Sequence, residues 1–400
     1  MKIAALDALA GFDLYDSPSS RPDRAAGDRM RVVHLVLGLN VGGLEQVVYD
    51  LVRCVDHDRF EVRILCLGEI GDWGHRFTEL GIPVASLHAA DRKLPGRIAA
   101  VARRLRELRP DVLHTHNPAP HLAGAIAARL SGVPVVVHTK HGRNYPGNWK
   151  WVFANRLAAS LTDKVIAVSR DAADVAVRIE RVRKDKVETI WNGVDLDKYA
   201  VSPAKPAGAN RRAVHVARIS YRDKDQRTLL AAVRLVADAE PDFSIDLVGD
   251  GPDRADLEAY CDELQLRRHV KFVGFSDNVH QHLSRAGFFV LSSVTEGISL
   301  TLLEAAASGL AIVATKVGGN SEVVEHGITG LLVPPQTPAA LAGAMLELLR
   351  NPQQAAEMGL CGRRRVEDYF DLRQAVARYE AHYLSLLQRK SKHRHTVETA

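Results

Sequence analysis

The sequence predicts an α/β protein of two doubly wound domains facing each other across a central cleft, each a parallel sheet wrapped by helices. Three observations point there. At 400 residues the chain exceeds one ordinary core and suits two, at about 100–200 residues each. Short apolar runs alternate with amphipathic helical patterns, as in βαβ units. The alternation also runs twice, broken near residues 195–212 by a stretch without periodicity.

Composition narrows the class. Apolar residues at 46% and charged residues at 25% are average for a globular chain and exclude disordered and fibrous proteins. No stretch approaches the ~20 apolar residues of a membrane span. Residues 1–29 read as a flexible leader rich in Asp, Ser, Pro and Arg, and Asp7 and Asp13 interrupt any secretion signal. Cys54, Cys66, Cys261 and Cys361 form no Cys-x-x-Cys pair, which fits free thiols in a reducing cytoplasm. A net charge of +5 suits anionic small molecules or an anionic membrane surface. Nucleic acid is not expected, because no basic stripe interleaved with stacking aromatics stands out.

The first series opens with a buried-type strand at 31–37, ending at Gly38. Gly42 and Gly43 then precede a helical pattern of Leu44, Val47, Val48, Leu51 and Val52. Further strands are expected at 62–67, 84–87, 112–114, 134–138 and 164–168, with helices at 95–108 and 121–131. Ser202-Pro203, Lys205-Pro206 and Gly208 mark an interdomain linker. The second series places strands at 213–217, 244–248, 270–273, 288–291, 311–315 and 331–333. Residues 389–400 read as a basic, polar, disordered tail. Ligands of such sheets bind beyond the strands' carboxyl ends, which makes the cleft the expected site.

The segment from Thr295 to Gly309, directly after strand 288–291, carries the most chemistry. Gly297 lets backbone approach a ligand closely. The amides of Ile298, Ser299, Leu300 and Thr301 open an Ala- and Leu-rich helix and, with the helix dipole, form an anion site. Glu296 in the loop and Glu304 on the helix reach different parts of one ligand and accept hydroxyl hydrogen bonds. Singly, each has a plainer role, as a loop cap and a solvated helix residue. Arg218 and Lys224 follow strand 213–217 in one polar loop. Two such cations suit a diphosphate, Arg as a bidentate partner and Lys as a point charge, although either alone reads as ordinary surface charge.

An ordered set of motifs accompanies these residues: Val41-Gly42-Gly43, Thr139-Lys140-His141-Gly142, Val168-Ser169, Trp191-Asn192-Gly193-Val194-Asp195, Val248-Gly249-Asp250-Gly251-Pro252, Gly274-Phe275 and Val317-Gly318-Gly319-Asn320. Over roughly residues 30–388 the chain thereby resembles the retaining glycosyltransferases of family 4, with Glu296 to Glu304 matching their Glu-x7-Glu signature. The resemblance implies the GT-B fold, two Rossmann-like domains about a cleft. The acceptor-side domain is expected at 30–200 and the nucleotide-sugar domain at 208–372, with a helix near 373–388 packing back on the first.

It further implies that Arg218 and Lys224 hold the donor diphosphate, Glu304 the ribose, and Glu296 the transferred sugar's hydroxyls. Amides of 297–301 meet sugar and phosphates, Gly274 and Phe275 line the base, and Gly42 and Gly43 meet the phosphates from across the cleft. His141 becomes the first-domain catalytic participant, although a lone His there serves as well as a structural hydrogen bonder.

The implied reaction moves a sugar, with retention, from a nucleotide diphosphate sugar, a UDP-sugar by preference, to a hydroxyl acceptor. The acceptor would be a sugar, polysaccharide or lipid-linked intermediate of cell-surface polysaccharide or glycolipid synthesis. No cofactor or metal is expected: His114-x-His116 and His138-x-x-His141 lack a partner at zinc-ligand spacing, and fixed cations and amides replace a divalent ion. Ala217, Asp225, Trp191 and Ile298-Ser299 depart from the family's commonest residues and leave the donor's identity open. Two rivals remain. A nucleotide-sugar 2-epimerase of the same fold would epimerise donor alone, and a noncatalytic nucleotide-sugar-binding protein would bind donor without transfer or hydrolysis. Peripheral contact with an anionic membrane at the cytoplasmic inner face has two candidate surfaces. One is the helix bearing Arg97, Arg103, Arg104, Arg106 and Arg109; the other is Trp149-Lys-Trp151 with Phe153. A solvated face and core packing are the plainer readings of these two.

Overall fold

The computed structural model describes residues 28–143, 147–202 and 208–398, with side chains to 392. Residues 1–27 of the expected leader and 203–207 of the expected linker lie outside the described residues.

Two parallel sheets form. The first contains β1 (Met30–Val36), β2 (Phe60–Cys66), β3 (Val84–Ser86), β4 (Val112–His116), β5 (Val135–Lys140), β6 (Lys164–Ala167) and β7 (Val187–Thr189). Its strand order is β3-β2-β1-β4-β5-β6-β7. The second contains β8 (Arg212–Val216), β9 (Ser244–Val248), β10 (Val270–Gly274), β11 (Phe288–Leu291), β12 (Ala311–Thr315) and β13 (Gly330–Val333). Its order is β10-β9-β8-β11-β12-β13. Each sheet reverses direction of winding beside its first strand, the switch point where doubly wound sheets bind ligands. The central strands are apolar on both faces because helices cover both; Val32, Val33, Leu35 and Val36 of β1 are all buried. The α/β plan is the one the sequence predicts. β7, Val187-Glu188-Thr189, holds a single apolar residue and leaves no run in the pattern.

The far end of the chain completes the first domain. Leu372, Val376, Tyr379 and Tyr383 of the helix Leu372–Glu398 join Val32, Val36 and Val137 in one core. The chain therefore crosses between domains twice, and the crossings lie side by side. The amide of Val194 donates to the Phe370 carbonyl at 2.9 Å, and that of Leu372 to the Val194 carbonyl at 3.2 Å. Gly193 is required there: a Cβ would lie 2.4 Å from the Leu372 Cα. The expectation of a disordered tail from residue 389 is overturned, since this helix runs on to Glu398. Residues 389–398 contain no Gly or Pro, Arg and Lys are good helix formers, and Lys390 Nζ sits 2.8 Å from an Asp163 carboxylate oxygen.

β4 and β5 extend two residues beyond the expected strands, carrying His116, Thr139 and Lys140 into the interior at their carboxyl ends. Lys140 is only 1% exposed. Its ammonium pairs with Glu180 at 2.7 Å, and the Asn155 amide donates to the same carboxylate oxygen at 2.8 Å. Removing one member of such a pair strands a buried charge, whereas replacing both leaves none. Glu180→Ala should therefore cost about 3–5 kcal/mol in urea unfolding. The double variant Lys140→Met/Glu180→Leu should recover most of that loss.

Candidate active site

Glu296 lies in the loop between β11 and the helix Leu300–Ala307. Its carboxylate accepts a hydrogen bond from Lys224 Nζ at 2.5 Å and from the Ser293 hydroxyl at 2.6 Å. Lys224 is delivered by the loop after β8, which is organised from beneath by Gln226, a fully buried residue. The Gln226 amide donates to the Arg218 carbonyl at 2.9 Å, and its oxygen accepts from the Ser220 amide at 3.2 Å. The Ser292 hydroxyl ties the Lys224 carbonyl to the end of β11 at 2.8 Å. Arg218 extends from the same loop into solvent. Asp225 explains its own departure from the family pattern. It holds a left-handed φ of +47° and accepts from the Thr228 amide at 3.3 Å, capping the helix Gln226–Ala239. Gly suits that backbone, and Asp is one of the few alternatives.

The helix Leu300–Ala307 starts at Leu300, with Ser299 as N-cap. Leu300 and Thr301 therefore open it, while Ile298 and Ser299 precede it as buried residues. Glu304 faces an interdomain cavity of about 230 Å³, across which lie Gln46, Asp50 and Arg53 of the helix Gly43–Cys54. Burial pushes the Glu304 carboxyl up to about 7, against a hydrogen bond from Tyr199 and the charge of Lys198, which favour the anion. Gly42 caps the Gly43–Cys54 helix in extended backbone, and open space surrounds the missing side chain of Gly43. Gly274 (φ +83°) accepts from the Gly249 amide at 2.8 Å, and Phe275 is half exposed.

The domains meet backbone to backbone. A Cβ on Gly297 would lie 2.1 Å from the His141 carbonyl oxygen, and one on Gly142 would lie 3.9 Å from the Gly297 Cα. Gly318 and Gly319 press on the other side, where the Gly319 amide donates to the Gly297 carbonyl at 2.7 Å. Glu322 fastens the contact, accepting from the Arg170 amide at 2.8 Å and the Trp191 indole at 2.7 Å. That indole bond accounts for Trp191 where the family more often has Pro. The structure thus brings Lys224 to Glu296, His141 to Gly297, and the Gly43–Cys54 helix to Glu304. Among the described residues no hydrogen bond or ion pair joins Arg218, Gly274 or Phe275 to either glutamate.

Sequence reasoning missed Gln226, Tyr199, Glu322 and the partners of His141. His141 Nε2 lies 2.9 Å from His116 Nδ1, and His116 Nε2 lies 3.0 Å from His34 Nδ1. The alternation of His114 and His116 on β4 puts both on one sheet face, a signal present in the sequence. Nothing local marks Gln226 or Glu322. His34, His114 and His116 could in principle hold a metal ion, since their ligand atoms lie within 4.8 Å of one another.

Two parallel sheets about a cleft, with a cation–carboxylate pair and a glycine-rich helix start at one lip, give the arrangement of the GT-B class. Comparison with known proteins agrees. Residues 41–198 match the family described as Glycosyltransferase Family 4, and residues 210–351 match Glycosyl transferases group 1. The alpha-maltose-1-phosphate synthase of Mycolicibacterium smegmatis is 33% identical, over 65% of this chain and 75% of its own length. The Escherichia coli UDP-Gal:alpha-D-GlcNAc-diphosphoundecaprenol alpha-1,3-galactosyltransferase is 24% identical over 78% of this chain and 85% of its own. Among solved structures, Anabaena HepE in complex with UDP superposes with a TM-score of 0.79 at 23% identity, covering 89% of this chain and all of that one. The chain belongs to the group 1, family 4 glycosyltransferases.

The Glu304 environment has a measurable consequence. Its folded pKa is raised, so the native state holds a proton that the unfolded chain releases between the ordinary value of 4.5 and about 7. Stability contributed by the protonated acid is present at pH 4.5 and is lost as the pH rises through 7. Glu304→Gln imitates the protonated acid. In urea unfolding at a series of pH values, wild type should lose stability relative to Glu304→Gln over that interval, and the two curves should run parallel below it.

Proposed function

We propose that this enzyme transfers a sugar from a UDP-sugar to a hydroxyl of a sugar, polysaccharide or lipid-linked acceptor, with retention of anomeric configuration and without a metal ion. One observation carries the reading: the Lys224–Glu296 pair, 2.5 Å apart, stands at the Gly297 contact with the opposite domain. An ammonium has three donors and a carboxylate about four acceptor positions, so the pair leaves both groups with capacity. Glu296 accepts from sugar hydroxyls, while Lys224 and Arg218 meet the diphosphate. Amides at the start of the Leu300–Ala307 helix add donors to the same anion, and Glu304 accepts from the ribose. Support for UDP comes from the HepE complex with UDP and from the galactosyltransferase that uses UDP-Gal.

As the anomeric carbon–oxygen bond breaks, charge develops on the departing diphosphate, where the two cations and the amides stabilise it. The acceptor hydroxyl attacks from the same face, its oxygen bonds to the anomeric carbon, and its proton passes to a phosphate oxygen of the leaving group. Each well-placed donor in such a site contributes about 3–4 kcal/mol. Lys224→Ala should therefore lower turnover about 100-fold or more, and Glu296→Ala, which removes the sugar's acceptor and leaves Lys224 unpaired, should do likewise, measured as UDP release from UDP-galactose and UDP-glucose, with unchanged circular dichroism. Near-wild-type turnover in either would overturn the assignment.

We also propose that the acceptor-side domain rests on anionic lipid. The Arg-rich helix Leu94–Leu108 does not support this: Ile98, Val101 and Leu105 are core, Arg97 binds the Ala90 carbonyl and Arg104 pairs with Glu107. The helix Trp149–Ser160 supports it. Trp149, Phe153 and Leu157 are 73%, 63% and 43% exposed at a spacing of four, which makes one apolar stripe. Lys150 and Arg156 accompany it, the helix carries no acidic residue, and Lys390 binds Asp163 just beyond its end. Exposed tryptophan and phenylalanine beside basic residues favour the headgroup layer. No described helix is long and apolar enough to cross a membrane. Vesicles of phosphatidylglycerol and phosphatidylcholine should sediment with wild type. Trp149→Ser/Phe153→Ser should weaken that binding about tenfold or more, two exposed side chains each contributing roughly 1.5 kcal/mol; equal sedimentation would overturn the proposal.

A further inference from the structure

Behind His141 stands a group of imidazoles that the transfer reaction does not account for. His34 of β1 pairs in register with His114 of β4, and His116 with Thr139 of β5, on the sheet face covered by Tyr379 and Tyr383. The rings of His34 and His114 lie 4.9 Å apart and those of His114 and His116 4.2 Å apart. His34, His114 and His116 are at most 2% exposed.

Their hydrogen bonds fall into two sets. His114 is complete in itself, with Nδ1 2.6 Å from the Tyr383 hydroxyl and Nε2 2.7 Å from the Thr139 hydroxyl. The other set is a chain from the interior to the cleft: His34 Nδ1 to His116 Nε2 at 3.0 Å, then His116 Nδ1 to His141 Nε2 at 2.9 Å. Five of the six ring nitrogens of His34, His114 and His116 are thus already engaged. A metal ion would have to break most of these bonds, so the arrangement favours an imidazole chain over a metal centre.

Burial holds all three members of the chain neutral, with His34 and His141 lowered to about 3. A neutral imidazole has one N–H and one bare nitrogen. Each link takes a single proton, and in a chain of neutral rings the choice at one ring dictates the others. With His141 Nε2 bound from behind, Nδ1 is the one nitrogen left for a ligand. If His116 donates, His141 Nε2 accepts and Nδ1 carries the proton; if His116 accepts, Nδ1 is bare.

We infer that His116, backed by His34, is a positioning residue that fixes the tautomer of His141 with Nδ1–H toward the cleft. This rests on the proposed function, because the acceptor-only oxygens of a donor diphosphate require an N–H there. The chain supplies that donor without a net positive charge in the domain wall. Orienting partners behind an imidazole play the same part in metal sites, where their loss typically costs 10–100-fold.

Two substitutions at His116 separate positioning from packing. An Asn amide reaches the place of Nδ1 and keeps the link to His141; a Gln amide reaches the place of Nε2 and keeps only the link to His34. His116→Asn should rescue turnover to within about threefold of wild type, and His116→Gln should lower it about 10–100-fold. Calorimetric affinity for UDP should stay the same in His116→Asn and fall in His116→Gln, which loses the fixed donor to the diphosphate. Ring 15N chemical shifts of His141 should report a single Nδ1–H tautomer in wild type and His116→Asn, and a mixture in His116→Gln. Equal turnover and equal tautomers in the two variants would overturn the inference. So would uptake of one Zn²⁺ per chain by wild type in a titration with zinc alone. Absence of UDP binding and transfer in wild type would instead defeat the proposed function, while the 15N measurement would still decide the tautomer.

Discussion

The cleft is governed by a contact with no room for a side chain. Gly297 lies against the His141 carbonyl oxygen, and Gly318 and Gly319 press on the same loop from within the second domain. With three backbones so close, the loop bearing Glu296 has little freedom left, and neither has the turn bearing His141. The ordering of flexible glycine backbone is unfavourable, and bonds that no glycine makes offset it. Glu322 grips the Arg170 amide and the Trp191 indole across the boundary, and Lys224 grips Glu296. A carboxylate, a cation and an imidazole-bearing turn are thereby held in one geometry by elements of two separate sheets.

The two walls of the cleft differ in kind. On the second domain, charge is present and paired, Lys224 with Glu296, while burial raises the pKa of the Glu304 carboxyl. On the first, the group nearest the contact belongs to a neutral, fully packed chain of imidazoles. Neutral donors cost far less to bury than ions. At the Gly297 contact the cation therefore stands on one lip and a neutral dipole on the other, with the charges of Asp50 and Arg53 further along the first wall.

Much of the fold was legible because parallel sheets covered on both faces leave continuous apolar runs. The runs at 31–37, 244–248, 288–291 and 311–315 coincide with β1, β9, β11 and β12 within a residue. Where polar residues were buried, the pattern failed. β4 and β5 looked two residues short because His116, Thr139 and Lys140 do not read as core, although each is at most 1% exposed. The tail misled for a related reason: a basic run looks disordered, yet it continues a helix whose preceding turns are fixed by Tyr379 and Tyr383. At the site, Glu296, Glu304, Lys224 and Gly297 stood out because loop, spacing and residue type agreed. Gln226 and Glu322 act through partners six or more residues to more than a hundred residues away, and no local signal carries such a pairing.

The helix Leu372–Glu398 sets an order on synthesis. Its Tyr379 and Tyr383 fill one face of the first sheet, while the intervening second sheet draws all its strands from Arg212–Val333. The ribosome therefore delivers the whole of the second sheet before it delivers the piece that seals the first. A nascent chain arrested between residues 333 and 372 would carry every strand of the second sheet beside a first sheet with one apolar face open, a surface that chaperones recognise.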